Sequence, residues 1–200
     1  FYPIPEIEKQ PHLDFDLTRK NNDSPIALGE LIVIEGSVIA HSERPIGGSI
    51  VEVWQACETG KYNHPQDKND RSMDPNFQYW GRVETGDNAK FRFKTILPGK
   101  YPGRTPHIHF RIVAKDRPEL VTQLYFAQHE ELNRKDSIYM ALNIGQRDAV
   151  TTHGKLYHRA GLVGRYEVNT TDVTVKDAVT TIDAVDAVDA VADKDAASCR

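Results

Sequence analysis

Two histidines, His107 and His109, stand one residue apart in the segment HIHFRIVAK, whose composition is typical of a β-strand. Residues i and i+2 of a strand point to the same face, so both imidazoles can approach one metal ion. Alternate histidines also occur on ordinary polar strand faces, so this pair alone does not establish a metal site.

Further chemical groups stand on nearby loops. The segment KYPGRTP presents Tyr101 and Arg104 just before the histidines, between prolines and glycines that restrict the chain, and Tyr62 follows a strand in ETGKYNHP. Neutral imidazoles and phenolates together form a hard, charge-donating set of ligands, which suits Fe(III) better than Zn²⁺ or Fe(II). A bound cation would keep such phenols ionised at neutral pH.

The elements that must position these groups are short strands separated by turn residues, which predict an all-β fold with a β-sandwich core. One short helix is expected, within Gln128–Ala149. The predicted strands are Leu31–Ala40, Ser49–Ala56, Phe91–Ile96, His107–Lys115, Leu120–Phe126 and Gly161–Val168.

The two ends of the chain differ from this body. Residues 1–30 contain four prolines and are expected to form an extended arm over the sandwich. From Asp177 to Arg200 the sequence is low in complexity, with an aliphatic residue at every third position and no aromatic residue. We therefore predict one catalytic domain over residues 1–170 and a low-complexity tail over 171–200.

Composition excludes several classes of partner. The chain has 200 residues, 39% hydrophobic and 27% charged, with a net charge of -4 and no basic block, so nucleic acid is not an expected partner. No apolar run reaches the roughly 18 residues of a membrane span. Two cysteines form neither a disulfide framework nor a thiolate metal site. The compartment stays open between the cytoplasm and, if a signal peptide has been removed before Phe1, the periplasm or exterior.

Four sequence segments carry a family resemblance: GKYNHP (Gly60–Pro65), DPNFQYWGR (Asp74–Arg82), FRFKTILPGKYPGRTPHIHFRI (Phe91–Ile112) and TQLYF (Thr122–Phe126). Together they resemble the intradiol ring-cleavage dioxygenases, and most closely the iron-bearing subunit of the protocatechuate-cleaving members. The resemblance implies a mononuclear non-haem Fe(III) on a β-sandwich. It also implies an activity that opens a catechol, protocatechuate or a related one, with O₂ to a cis,cis-muconate.

The same resemblance assigns roles to particular residues. Arg104 would stabilise negative charge on the activated ring and contact the substrate, and Gln123 would orient either the substrate or Arg104. Tyr2 would lie at the mouth of the substrate pocket. A cross-strand hydrogen bond is the alternative role for Gln123. The implied iron ligands are Tyr62, Tyr101, His107 and His109, with Tyr101 and His109 axial.

Two other functions remain open at this stage. A cupin-like Fe(II) or Zn²⁺ enzyme would combine the two histidines with an acid such as Glu130 or Glu131. A transthyretin-like β-sandwich binding module would carry no metal.

The stretch from Tyr101 to His107 is shorter than in the protocatechuate enzymes, which leaves the substrate undefined. For the assembly, a homo-oligomer and a pairing with a partner subunit are both compatible with the resemblance.

Overall fold

The computed structural model describes residues 15–40, 44–152, 155–158 and 166–169. The chain forms nine strands and three short α-helices within those ranges. The strands are β1 (Leu31–Ser37), β2 (Ile50–Trp54), β3 (Trp80–Glu84), β4 (Lys90–Ile96), β5 (His107–Val113), β6 (Leu120–Phe126), β7 (Thr151–Thr152), β8 (Lys155–His158) and β9 (Tyr166–Asn169). The helices are α1 (Glu130–Asn133), α2 (Ser137–Ala141) and α3 (Ile144–Val150).

The strands form two packed sheets and a separate hairpin. The first sheet pairs β1 with β4 antiparallel, and the second has the order β3-β2-β5-β6-β7, antiparallel except for the parallel pair β6 and β7. Strands β8 and β9 pair with each other. The main hydrophobic core lies between the two sheets, where Ile34 and Phe93 of the first sheet belong to one buried cluster with Val53 and Phe110 of the second. The predicted all-β sandwich is confirmed.

A buried polar link joins the two sheets next to the core. Gln55, the residue after β2, accepts a hydrogen bond from the hydroxyl of Thr95 at 2.8 Å and donates one to the carbonyl of Ile96 at 2.9 Å. Both Gln55 and Thr95 are fully buried. Because unpaired polar atoms are unfavourable in such a place, this link specifies how β2 and β4 lie against each other.

The helical region differs from the expectation of one short helix. A 3₁₀ turn at Ala127–His129 leads into three α-helices, because polar side chains start a new helix twice along this stretch. The carboxylate of Asp136 accepts from the backbone N–H groups of Ile138 and Tyr139, and Asn143 forms a capping box with Gln146.

Strand bounds also differ from the predicted ones. Strand β1 ends at Ser37 instead of Ala40, and Trp80–Glu84 is a strand that the sequence did not indicate. That strand contains a glycine and two charged residues, a composition of low strand propensity, and it is stabilised by antiparallel pairing at the edge of the second sheet.

Parts of the predicted ends lie outside the described residues. In the N-terminal arm, residues 15–30 form no helix or regular strand, and the backbone N–H of the fully buried Leu17 bonds to the carbonyl of Lys94 in β4. Residues 1–14, residues 161–165 of the last predicted strand and the tail from residue 170 onwards are outside the described ranges, so the boundary near 170 stays a prediction. None of the described helices is long and apolar enough to cross a membrane.

The link between the sheets can be tested with Thr95→Val, which keeps the volume and removes the hydroxyl. We expect the variant to lose about 1–3 kcal/mol of unfolding free energy, because a buried oxygen of Gln55 loses its donor. This corresponds to a decrease in Tm of about 2–10 °C, measured by thermal unfolding. An unchanged Tm would show that the hydrogen bond does not help to hold the sheets together.

Candidate metal centre

The candidate site lies on the outer face of the second sheet, away from the core. In β5 the aliphatic and aromatic residues Ile108 and Phe110 face the core, so strand alternation turns His107 and His109 outward. Strand register then aligns side chains across the sheet. Trp54 of β2 and Gln123 of β6 flank His109, while Tyr125 of β6 lies opposite His107.

The two imidazoles meet at their Nε2 atoms, which are 3.2 Å apart. His107 Nδ1 lies 2.7 Å from the carbonyl oxygen of Thr105. A carbonyl only accepts, so Nδ1 of His107 carries the proton and its Nε2 presents a lone pair to the site. The ring of Trp54 stacks on that of His109 at 4.8 Å with an interplanar angle of 2°, which holds the second imidazole in place.

Both histidines are held in the neutral form that binds metal. Burial, followed by the nearby positive charge of Arg104, lowers the pKa of His107 to about 3. The pKa of His109 is also lowered well below its ordinary value, first by burial and then by His107. Their relative exposures are only 3% and 5%. Neutral buried imidazoles whose Nε2 atoms converge are a favourable arrangement for a cation.

The two phenols approach this pair from two different loops. The hydroxyl of the buried Tyr62 lies 3.3 Å from Nε2 of His107. The half-buried Tyr101 packs edge-to-face on the Tyr62 ring, with ring centroids 5.4 Å apart. We call Tyr62, Tyr101, His107 and His109 the imidazole–phenol cluster.

The loops that carry the phenols are packed backbone against backbone. A Cβ atom on Gly99 would lie 1.9 Å from the carbonyl oxygen of Glu58, and one on Gly60 would lie 2.2 Å from that of Lys100. Gly60 also has a φ of 82°, in the region that favours glycine. The Arg71 guanidinium bonds to carbonyls of both loops, those of Thr59 and Lys100. Only glycine permits this approach, which brings Tyr62 and Tyr101 together.

Tyr62 is also fixed through its own backbone. Its N–H donates to the carboxylate of Asp67 at 2.8 Å, and that carboxylate lies 3.6 Å from the Lys61 ammonium group. Asp67 is itself buried. The short loop after β2 is therefore closed by a paired, hydrogen-bonded acid, which holds the phenol towards the histidines.

Arg104 lies between the second sheet and the helical region. Its Nη2 donates to the amide oxygen of Gln123 at 2.6 Å and to the hydroxyl of Tyr125 at 3.1 Å, and its Nε donates to the carboxylate of Asp136 at 2.9 Å. The Tyr125 hydroxyl in turn donates to the same oxygen of Gln123 at 2.7 Å. The amide oxygen of Gln123 thus binds Arg104, which is the contact expected if Gln123 orients the arginine.

Three donor atoms of the cluster, on His107, His109 and Tyr62, are spaced to share a single cation. Two ligand atoms about 2.1 Å from one ion, and separated by an angle of about 100°, lie about 3.2 Å from each other. The separations of 3.2 and 3.3 Å that join His107 to His109 and to Tyr62 match that value. Two nitrogen donors and two phenol oxygens, with no thiolate, favour Fe(III) over softer metals.

The described residues add none of the other predicted candidates to the cluster. Tyr2 lies outside the described residues. The side chain of Glu130 is 69% exposed and pairs with Arg134 on the surface. Among the described residues, no group of three histidine, cysteine or acidic side chains is arranged to hold an ion, so the cupin-like ligand set of two histidines and an acid is not supported.

Three residues beside the site were not assigned to it from the sequence. The alternation of β2 places Trp54 on the same face as Glu52, opposite to the core residue Val53. Tyr125 could have been found by the same rule, because it lies two residues after Gln123. Asp136 had no comparable signal, because it lies 32 residues from Arg104 in the sequence.

Comparison with known proteins gives a consistent family assignment. Residues 4–178 match the family model described as Dioxygenase. The protocatechuate 3,4-dioxygenase beta chain of Burkholderia cepacia is 34% identical over 180 residues, which cover 86% of this chain and 71% of that protein. Catechol 1,2-dioxygenase 1 of Acinetobacter lwoffii is 28% identical over 110 residues, and the match spans only 34% of that longer enzyme.

Solved structures share the fold. The dioxygenase domain of a dioxygenase–carbohydrate-binding fusion protein from Streptomyces sp. SirexAA-E superposes with a TM-score of 0.55 and 28% identity, covering 78% of this chain and 82% of that one. The intradiol ring-cleavage dioxygenase from Tetranychus urticae has a TM-score of 0.59 at 21% identity, over 83% and 86% of the two chains.

The close approach of the two phenol loops can be tested with Gly99→Ala. A methyl group at this position would meet the Glu58 carbonyl, so we expect a loss of about 1–3 kcal/mol in unfolding free energy, measured by denaturant unfolding of the metal-free protein. The matched control is Gly145→Ala in α3, where the new methyl would make only an ordinary contact at 3.6 Å and should not destabilise. Equal effects of the two changes would contradict this account of the loops.

The buried histidines predict a pH dependence of the metal-free protein. Their pKa values in the folded chain lie below the unfolded value near 6.5, so the unfolded state takes up protons first as the pH falls. Stability should therefore be complete above about pH 6.5 and decline below it. Denaturant unfolding between pH 4.5 and 7.5 measures the slope. The double variant His107→Gln/His109→Gln should show a shallower decline, and an equal slope would contradict the assignment.

Proposed function

We propose that this chain, which belongs to the intradiol ring-cleavage dioxygenase family, holds one ferric ion at the imidazole–phenol cluster and uses O₂ to open a catechol between its two hydroxylated carbons. The observation that supports this most directly is the meeting of Tyr62 Oη and His109 Nε2 on Nε2 of His107, within 3.3 Å. The proposed iron ligands are Tyr62, Tyr101, His107 and His109.

Ferric iron, when bound, would supply the Lewis acidity and redox capacity that make an electron-rich diol react with O₂. The residues of the chain would prepare the site for it. Ionised Tyr62 and Tyr101 would offset two of the three positive charges, while neutral His107 and His109 would complete the protein ligand set. The aromatic rings of Trp54, Tyr62 and Trp80 form one buried cluster against which Tyr101 packs, and they limit the access of water to this side of the site.

Arg104 is proposed to stabilise negative charge on the bound diol. Its guanidinium is close enough to the histidines for its charge to lower the pKa of both. A guanidinium remains charged at any working pH, and this one is held in a defined orientation by Gln123 and Tyr125. Gln123 would thus act on the substrate through Arg104, and Tyr2 is proposed to line the mouth of the pocket.

The substrate class is proposed as protocatechuate or a related catechol, because one relative is named as a protocatechuate 3,4-dioxygenase chain and another as a catechol 1,2-dioxygenase. The first relative is named a beta chain, which supports assembly with a partner subunit, and a homo-oligomer is the alternative. The imidazole–phenol cluster, the aromatic rings packed beside it and the family membership favour an enzyme over a transthyretin-like binding module.

The test uses the full chain expressed in iron-replete medium. We expect about one iron per chain, a visible absorption band from phenolate-to-iron charge transfer, and O₂ uptake with at least one of catechol, protocatechuate and hydroxyquinol. The product should be the acid opened between the two hydroxyls. A product opened outside the diol, or a colourless protein that contains no iron, would contradict the proposal.

The phenol ligands can be tested with Tyr62→Phe and Tyr101→Phe. Each variant should shift or bleach the visible band, because the remaining phenolate alone would supply the charge transfer, and kcat should fall at least tenfold. Tyr79→Phe is the matched control, because the buried Tyr79 hydroxyl bonds to the backbone of Asp74 instead of facing the cluster. A band that is unchanged in both ligand variants would exclude the phenols as ligands.

A further inference from the structure

We infer that Asp136 is the positioning residue that aims Arg104 at the metal centre, an inference that rests on the proposed function. Its carboxylate lies 2.9 Å from Arg104 Nε, and the same oxygen accepts the backbone N–H of Thr105 at 2.9 Å. The other oxygen accepts the N–H groups of Ile138 and Tyr139 at the start of α2. One carboxylate therefore joins the arginine to the rigid end of a helix.

The contact between Asp136 and Arg104 is buried, which restricts the positions of both side chains. The Asp136 side chain has no exposed surface, and that of Arg104 is only 11% exposed. A buried carboxylate without a cation is strongly unfavourable, so each partner holds the other in its place. Asp136 engages Nε of the planar guanidinium, and Gln123 and Tyr125 engage its Nη2. This leaves little freedom for rotation of the group.

Asp136 is also linked to His107 through the backbone of Thr105. Thr105, whose N–H bonds to Asp136, accepts the Nδ1–H of His107 at its own carbonyl, 2.7 Å away. The Thr105 hydroxyl donates to the amide oxygen of Asn133, and Asn133 donates to the carbonyl of Phe126 at the end of β6. The segment from Asn133 to Asp136 therefore supports Arg104 and Thr105 together, while contacting none of the four proposed ligands through these hydrogen bonds.

The variant Asp136→Asn separates positioning from helix capping. Asparagine caps a helix as well as aspartate does, so Oδ1 can keep the start of α2. Its amide NH₂ cannot accept from Arg104 Nε, and the negative charge beside the guanidinium is removed. We expect kcat to fall roughly 10- to 100-fold through a misplaced Arg104, with iron content and the visible band unchanged. Asp74→Asn is the matched control, because buried Asp74 accepts from the backbone of Leu28 and Asn76. This control should keep kcat within about twofold.

A double-mutant cycle shows whether Asp136 acts through Arg104. In an Arg104→Lys background, Asp136→Asn should change kcat by less than about threefold, because the guanidinium group that the carboxylate orients is already absent. The same fold loss in both backgrounds, or a loss of iron that accounts for the lost activity, would overturn the inference while leaving the proposed function intact. A wild-type protein that binds iron but cleaves no catechol would overturn both.

A measurement on the iron-free protein keeps the inference testable if Asp136→Asn does not fold. In ¹H–¹⁵N spectra of the wild type, the Nε–H of Arg104, assigned by its absence in Arg104→Lys, should exchange slowly with water, because it is buried in a charge-assisted hydrogen bond. Rapid exchange of that group in the wild type would overturn the inference.

Discussion

The two faces of strand β5 lie in two different environments, and this determines where the site can form. The inward face carries Ile108 and Phe110, which help to join the two sheets through the core. The outward face carries His107 and His109, whose Nε2 atoms meet 3.2 Å apart. Because side chains alternate along a strand, the burial of the core residues also determines the direction of the histidines.

The neighbouring strands, the two phenol loops and the helical region either add a chemical group beside the two imidazoles or hold such a group in position. The neighbouring strands supply Trp54 against one ring and Gln123 and Tyr125 for the guanidinium of Arg104. The phenols come from loops that touch at glycine positions, so their convergence depends on backbone contact. The helical region contributes through Asp136, the N-cap of α2, and through Asn133, which accepts a hydrogen bond from the Thr105 hydroxyl. The cluster is thus rigid where ligands meet, and its supports come from three separate parts of the chain.

The sequence could predict the elements whose signals are local. Alternation and turn residues indicate the strands of the sandwich, and β6 begins and ends where the pattern predicts, at Leu120 and Phe126. The spacing of His107 and His109 gives a shared face directly. That Tyr62 and Tyr101 belong with them came from resemblance to a family, because their loops lie about 40 residues apart and only tertiary contact brings them together.

What the sequence could not show depends on long-range contacts. The buried ion pair of Arg104 with Asp136 joins a loop to a helix cap, and an aspartate before a helix is already explained by capping. Strand β3 has weak strand propensity and exists because β2 offers it a partner along five residues. The division of the helical stretch followed from Asp136 and Asn143, whose capping roles are visible in sequence only when the boundaries are known.

The position of the bound iron shows whether the imidazole–phenol cluster is the metal site. Crystals of the iron-loaded protein, measured with X-rays at the iron absorption edge, would place the ion by its anomalous scattering. We predict one peak per chain, bounded by Nε2 of His107, Nε2 of His109 and the hydroxyl oxygens of Tyr62 and Tyr101. Iron bound at any other residues, or no peak in crystals of protein that metal analysis shows to be iron-loaded, would contradict this prediction.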